Sequence, residues 1–150
     1  MDRVAVALGS NLGDRRAHLD AAVASLGSLI RSLTVSTYYD TIPAGVTGPQ
    51  PLYLNAAAVG DTLLPARALL DALLGIETAR GRLRPHPNAP RTLDLDLIFY
   101  SNMVIDELGL VVPHPRFRER RFVLEPLAEI APDLRDPVTG KTVAELLAAL

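Results

Sequence analysis

The spacing of apolar positions along the chain changes period several times, and each change marks an element. RVAVALG (residues 3–9) alternates as a strand does, and Gly9 reads as its end. SNLGD is a turn, after which Leu19, Val23, Leu26 and Ile30 follow helical spacing. LTVSTYYDT (33–41), rich in β-branched and aromatic residues, predicts a second strand. IPAGVTGPQP (42–51) is a long proline- and glycine-rich loop, and LYLNAAAVGDTL (52–63) is a third strand. Pro65 suits the first turn of a helix whose apolar face is Leu69, Leu70, Leu73, Leu74 and Ile76. A second loop, GRLRPHPNAP (81–90), leads into the strand PRTLDLDLIFY (90–100).

The order is β-α-β-β-α-β, the ferredoxin-like arrangement, an α+β fold with two helices on one face of an antiparallel sheet. Downstream, MVIDELGLVVP (103–113) predicts a further strand or hairpin. ERRFVLEPLAEI (119–130) is helical in pattern but holds Pro126, which starts or kinks a helix. TVAELLAAL is a short terminal helix with Thr142 as its cap. With no repeat, low-complexity tract or linker, residues 1–150 read as one domain.

Composition narrows the class. Half the chain (49%) is hydrophobic, which suffices for a core without staples, and the absence of cysteine excludes disulfides and thiolate metal sites. No apolar run is long enough to span a membrane. The strand that begins at once after MDR leaves no room for a signal peptide. A cytoplasmic protein is expected. A net charge of −2 argues against general nucleic-acid binding. Eight of the fourteen arginines nevertheless fall between Arg80 and Arg121, and lysine occurs once. Guanidinium forks match phosphate geometry, so the cluster suggests a small anionic ligand, while any single arginine reads first as a solvated surface residue.

Asp94 and Asp96 interrupt an otherwise apolar strand. Leu93, Leu95 and Leu97 point one way and the two carboxylates the other, about 7 Å apart along the chain. A half-buried strand with one face in water accounts for that alternation. So does a pair of carboxylates held together by Mg²⁺, which favours carboxylate and phosphate oxygens. Arg82, Arg84 and Arg91 just before the pair suit an Mg-nucleotide site. There is no P-loop, zinc motif or hydrolase triad. On the third strand Tyr53 and Asn55 share a face, an aromatic plate beside an amide that suits a flat heterocycle or a solvated surface equally. In PHPRFRERRF, His114 sits between two prolines ahead of Arg116, Arg118, Arg120 and Arg121.

Together, ALGSNLGDR, YLNAA, GRLR followed by PRTLDLDLI, and VPHPRFRERRFVLEPLAEIAPD occur in an order that resembles the 6-hydroxymethyl-7,8-dihydropterin pyrophosphokinases of folate biosynthesis. The resemblance implies pyrophosphate transfer from ATP to the hydroxymethyl group of the pterin, with release of AMP. It implies that Asp94 and Asp96 ligate two Mg²⁺ ions and that Arg82 and Arg91 stabilise the transferring phosphates. Glu77, Arg84, Leu97, His114 and Arg120 would join Arg82 and Arg91 around ATP. Thr41, Pro43, Ala44, Tyr53, Asn55 and Phe122 would hold the pterin. Asn88 and Ala89 stand where many members carry an aromatic residue and a glycine. The partners expected are small-molecule substrates, with neither nucleic acid nor membrane, and the chain is expected to be a monomer. A ferredoxin-like binding or regulatory module and a metal-dependent phosphodiesterase are the competing readings.

Overall fold

The computed structural model describes residues 1–42, 52–81 and 92–150. Strand β1 (Asp2–Ser10) is followed by α1 (Arg15–Leu26), β2 (Arg31–Val35), β3 (Tyr39–Thr41), β4 (Tyr53–Thr62), α2 (Ala66–Ala79) and β5 (Asp94–Tyr100). A hairpin of β6 (Ile105–Glu107) and β7 (Leu110–Val112) comes next, then a 3-10 turn at Phe117–Glu119, α3 (Arg121–Ile130) and α4 (Val143–Ala148). The main sheet runs β2-β4-β1-β5, with β3 also on β4, and the pairings are antiparallel. This is the ferredoxin-like order expected, with the predicted hairpin added.

Alternation along the strands divides the core into two layers. Val4, Val6 and Leu8 of β1, Leu54, Ala56 and Ala58 of β4, and Leu93, Leu95 and Leu97 pack under Leu19, Ala22 and Leu26 of α1 and Leu69 and Leu73 of α2. On the opposite face Ala5, Ala57, Val59, Ile98 and Phe99 pack under Val123, Leu124 and Leu127 of α3 and Val143 and Leu146 of α4. The second pair of helices therefore covers part of the face that the two-helix expectation left open.

Four expectations are corrected. Gly9 does not end β1, which runs on to Ser10 with Gly9 paired on both sides. The second strand is two: Ser36 is buried, its N–H donates to the Ala57 carbonyl and its hydroxyl accepts the Ala57 N–H at 2.9 Å. That side chain substitutes for a ladder bond, and three residues (36–38) then span what two residues of β4 span between Val35↔Ala58 and Tyr39↔Asn55. Helix α1 stops at Leu26 with Gly27 as its C-cap, so Ile30 is buried beyond the helix rather than on it. Leu74, assigned to the apolar face of α2, is exposed, while Glu77 on that helix is buried.

Other boundaries match the sequence signals. Pro65 is the residue just ahead of α2, and Thr142 caps α4 in a reciprocal capping box with Glu145. Pro126 lies inside α3 and is buried. Its ring nitrogen has no proton, so the Phe122 carbonyl loses its i+4 donor within the helix.

Candidate active site

The sheet register brings the separated motifs together. Gly9 pairs with Asn55 on one side and Asp94 on the other; Ala7 pairs with Ala57 and Asp96. Residues in one cross-strand row share a face, so Tyr53, Asn55, Asp94 and Asp96 all open on the side that carries α3. Between them lies the bare backbone of Gly9. A Cβ there would come within 3.1 Å of Asn55 Oδ1 and 3.3 Å of Tyr53 Cδ1, so the amide and ring lean over β1 because no side chain opposes them. No feature local to SNLGD marks this use of Gly9; the partners that demand it are more than forty residues away.

Asp94 and Asp96 are half-buried, while Leu93, Leu95 and Leu97 are in the core. The alternation then breaks once. Leu97 pairs with Val6 and Phe99 with Ala5, leaving Ile98 as an extra residue, so Ile98 and Phe99 both face α3 and Tyr100 returns to the other layer. The Ile98 carbonyl accepts the His114 N–H at 3.1 Å, which seats the turn after β7 alongside β5. His114 feels the charge of Asp94 there, yet burial first, and then Arg120 and Arg116, push its imidazole down to about 4. Its Nδ1 accepts the Arg116 N–H at 3.2 Å, so the neutral ring carries its proton on Nε2.

Glu77 approaches from the outer edge of β5. Its Oε2 accepts the Leu95 N–H at 2.7 Å, capping an edge-strand donor that would otherwise be exposed to pairing. Leu97 is buried in the α1–α2 layer, so a contact from it to a nucleotide falls to its main chain. The arginines behind His114 divide. Arg118 is bound at 2.5 and 2.9 Å to Asp136, which is wholly buried, and it stacks on Phe117. Arg116 pairs with Glu119 at 2.9 Å, and Arg121 lies 3.8 Å from Glu125. Arg120 makes no ion pair with a described residue and lies over the Phe122 ring, 5.5 Å from its centroid.

A groove of about 190 Å³ runs between β3 and α3, lined by Tyr39, Thr41, Ile42, Arg121, Phe122, Glu125 and Pro126. Asn55 joins it through a hydrogen bond from Nδ2 to Thr41 Oγ1, and Thr41 pairs with Tyr53. Of the pterin residues expected, Thr41, Tyr53, Asn55 and Phe122 thus converge; Tyr39, Glu125 and Pro126 join them unforeseen. Pro43, Ala44, Arg82, Arg84 and Arg91 lie outside the described residues, as do Asn88 and Ala89.

A scan against family models matches residues 5–132 to 7,8-dihydro-6-hydroxymethylpterin-pyrophosphokinase. The chain belongs to this pyrophosphokinase family. A 2-amino-4-hydroxy-6-hydroxymethyldihydropteridine pyrophosphokinase of Methylorubrum extorquens is 45% identical to it, across 100% of this chain and 94% of the relative. The enzyme of that name from Pseudomonas aeruginosa is 44% identical across 99% and 92%. Among solved structures, wild-type Plasmodium falciparum HPPK-DHPS superposes with a TM-score of 0.78 at 12% identity. That likeness covers 99% of this chain and 44% of the Plasmodium chain, and at such identity it speaks to the fold.

The acidic pair fits a hard divalent cation. It offers oxygen donors alone, and among the described residues no third His, Cys, Asp or Glu closes a cage around it. An ion held by two carboxylates keeps positions for water and phosphate oxygens, the coordination that Mg²⁺ prefers. Among the described residues, no helix is long and apolar enough to cross a membrane.

Proposed function

We propose that the face shared by β1, β4 and β5 transfers a pyrophosphoryl group from ATP to the hydroxymethyl group of 6-hydroxymethyl-7,8-dihydropterin, a step of folate biosynthesis. The observation that carries this reading is the row Asn55–Gly9–Asp94. It sets a heterocycle-binding amide and a metal-binding carboxylate two strands apart, about 10 Å between main chains. The pterin lies over Gly9 with its ring edge on Asn55 and its faces toward Tyr53 and Phe122, and its hydroxymethyl group points at the acidic pair.

The hydroxymethyl oxygen bonds to the β-phosphorus, the bond from that phosphorus to the α–β bridging oxygen breaks, and AMP leaves with that oxygen as the hydroxyl proton is lost. Asp94 and Asp96 would hold Mg²⁺, which when bound would supply positive charge for the phosphate oxygens and lower the pKa of the hydroxyl. His114 donates from Nε2 to a phosphate oxygen, the tautomer its Nδ1 contact enforces. Arg120 balances the remaining charge, and Arg82, Arg84 and Arg91 are assigned to the same triphosphate. Glu77 holds the edge of β5 in place beside the nucleotide. Asn55, pinned by Thr41, orients the pterin and so turns a bimolecular attack into a positioned one.

The test is to incubate the purified protein with ATP, Mg²⁺ and the pterin and to follow AMP and ADP. AMP that appears only with both pterin and Mg²⁺ is the expected result. ADP, or nucleotide turnover indifferent to pterin, overturns the reading.

A further inference from the structure

Strand β3 is three residues long and, among the described residues, joins the sheet through β4 alone. So short a segment needs side-chain anchors to hold one position. One is Arg15, whose Nη1 meets Asp40 at 2.8 Å on the outer side. The other is Glu129 in the last turn of α3. Its Oε1 accepts the Tyr39 hydroxyl at 2.6 Å and the Thr37 hydroxyl at 2.7 Å, and its Oε2 accepts the Thr37 N–H at 3.0 Å. Three donors on one carboxylate are more than a surface residue ordinarily gathers. Their effect is mutual: these hydrogen bonds hold the Glu129 carboxyl below its ordinary range, and the bond to Glu129 pushes the Tyr39 phenol up.

Helix periodicity shows what this clasp is joined to. Phe122, Pro126 and Glu129 stand at i, i+4 and i+7, a single stripe of α3 that faces β3. Phe122 and Pro126 are one wall of the groove; Tyr39 and Thr41 are the other. Glu129 closes the stripe about 10 Å beyond Phe122 along the helix axis. It stands at the border of β4 away from β5 and the aspartates.

We propose that Glu129 is a positioning residue for the pterin: by tying Tyr39 and Thr37 to α3 it sets the separation and angle of the two groove walls. The inference rests on the pterin reading of the groove. Its consequence is confined to the pterin side, because among the described residues the side-chain bonds of Glu129 run to Thr37 and Tyr39, away from Asp94, Asp96 and His114. The cost of losing it should appear in pterin affinity and not in ATP affinity.

Equilibrium binding of 6-hydroxymethylpterin, followed by its fluorescence, tests this without turnover. Glu129→Ala is expected to raise the pterin Kd about tenfold and to leave the ATP Kd within about twofold. Glu129→Gln keeps an acceptor for both hydroxyls and gives up the Thr37 N–H bond alone, so it should stay within about threefold of wild type. Tyr39→Phe should weaken pterin binding by itself, and adding it to Glu129→Ala should cost nothing further. Should Glu129→Ala fail to fold, Tyr39→Phe against Glu129→Gln decides. Unchanged pterin binding in a folded Glu129→Ala or in Tyr39→Phe overturns the inference and leaves a mere structural clasp. Wild-type protein that binds no pterin overturns the functional reading as well, whereas normal wild-type turnover beside an unaffected Glu129→Ala sinks this inference alone.

Discussion

Asn55 and Asp94 occupy one row of the sheet, each the direct partner of Gly9 from opposite sides of β1. The two are 39 positions apart in sequence, and their meeting is a product of register alone. A one-residue slip of either strand would send one of them to the face packed by α1 and α2.

Gly9→Ala tests that row. The new methyl would stand 3.1 Å from Asn55 Oδ1 and 3.3 Å from the Tyr53 ring, and both side chains must retreat. The backbone itself is ordinary strand, so folding should survive. The pterin KM is expected to rise about tenfold or more, because small misplacements near reacting groups are costly. Steady-state kinetics with varied pterin, alongside a thermal melt, checks it.

Asp96→Asn should remove one carboxylate charge of the proposed metal site while keeping the side chain's shape. Turnover is expected to fall about 10³-fold, equivalent to about 4 kcal/mol of barrier. Pterin binding without nucleotide should not move, because Tyr53, Asn55 and Phe122 are untouched. Comparable turnover in the variant would dissociate the acidic pair from the chemistry.

The fixed tautomer of His114 makes a separate prediction. With Nδ1 occupied by the Arg116 N–H, Nε2 is the nitrogen left to donate to a phosphate in the proposed mechanism. Glutamine places its amide nitrogen near Nε2, asparagine near Nδ1. His114→Gln should therefore keep about ten times more kcat/KM for ATP than His114→Asn. The reverse order would assign the proton to the other nitrogen.

Asp136 predicts a pH-dependent stability remote from the site. Burial pushes its carboxyl up, but hydrogen bonds from Arg118, the Val138 N–H and the Thr139 hydroxyl outweigh that and leave it below the usual 3.8. A depressed acid stabilises the fold at neutral pH and loses that contribution as pH falls below its unfolded value. Asp136→Asn should cost about 2–4 kcal/mol at pH 7, since it strands Arg118. The gap between variant and wild type should narrow below about pH 4 in urea titrations.

Much of the candidate site was legible because its residues break local patterns. Two carboxylates in a leucine strand, an aromatic beside an amide, and a histidine between prolines all stand out without a structure. Gly9 misled for a physical reason: alone, glycine is a strand breaker, and only the side chains of β4 make its missing Cβ useful. Ser36 was opaque because a hydroxyl in place of a ladder bond leaves no periodic trace. Glu77 followed the helix pattern as a polar position, yet it is buried because the edge of β5 supplies a donor. Tyr39 and Glu129 are 90 residues apart and meet only when α3 folds onto β3.

Strand β5 carries one residue more than its neighbour requires. Without Ile98, Leu97 and Phe99 would follow in a regular ladder against β1, and every flanking side chain would keep its face. What would vanish is the Ile98 carbonyl, and with it the hook on which the His114 turn hangs. Besides packing into the core under α3, the surplus residue moors the His114 turn to the strand that bears the aspartates. A deletion at Ile98 is thus expected to detach the histidine from β5 and make the β1–β5 ladder regular, at the cost of one buried side chain under α3.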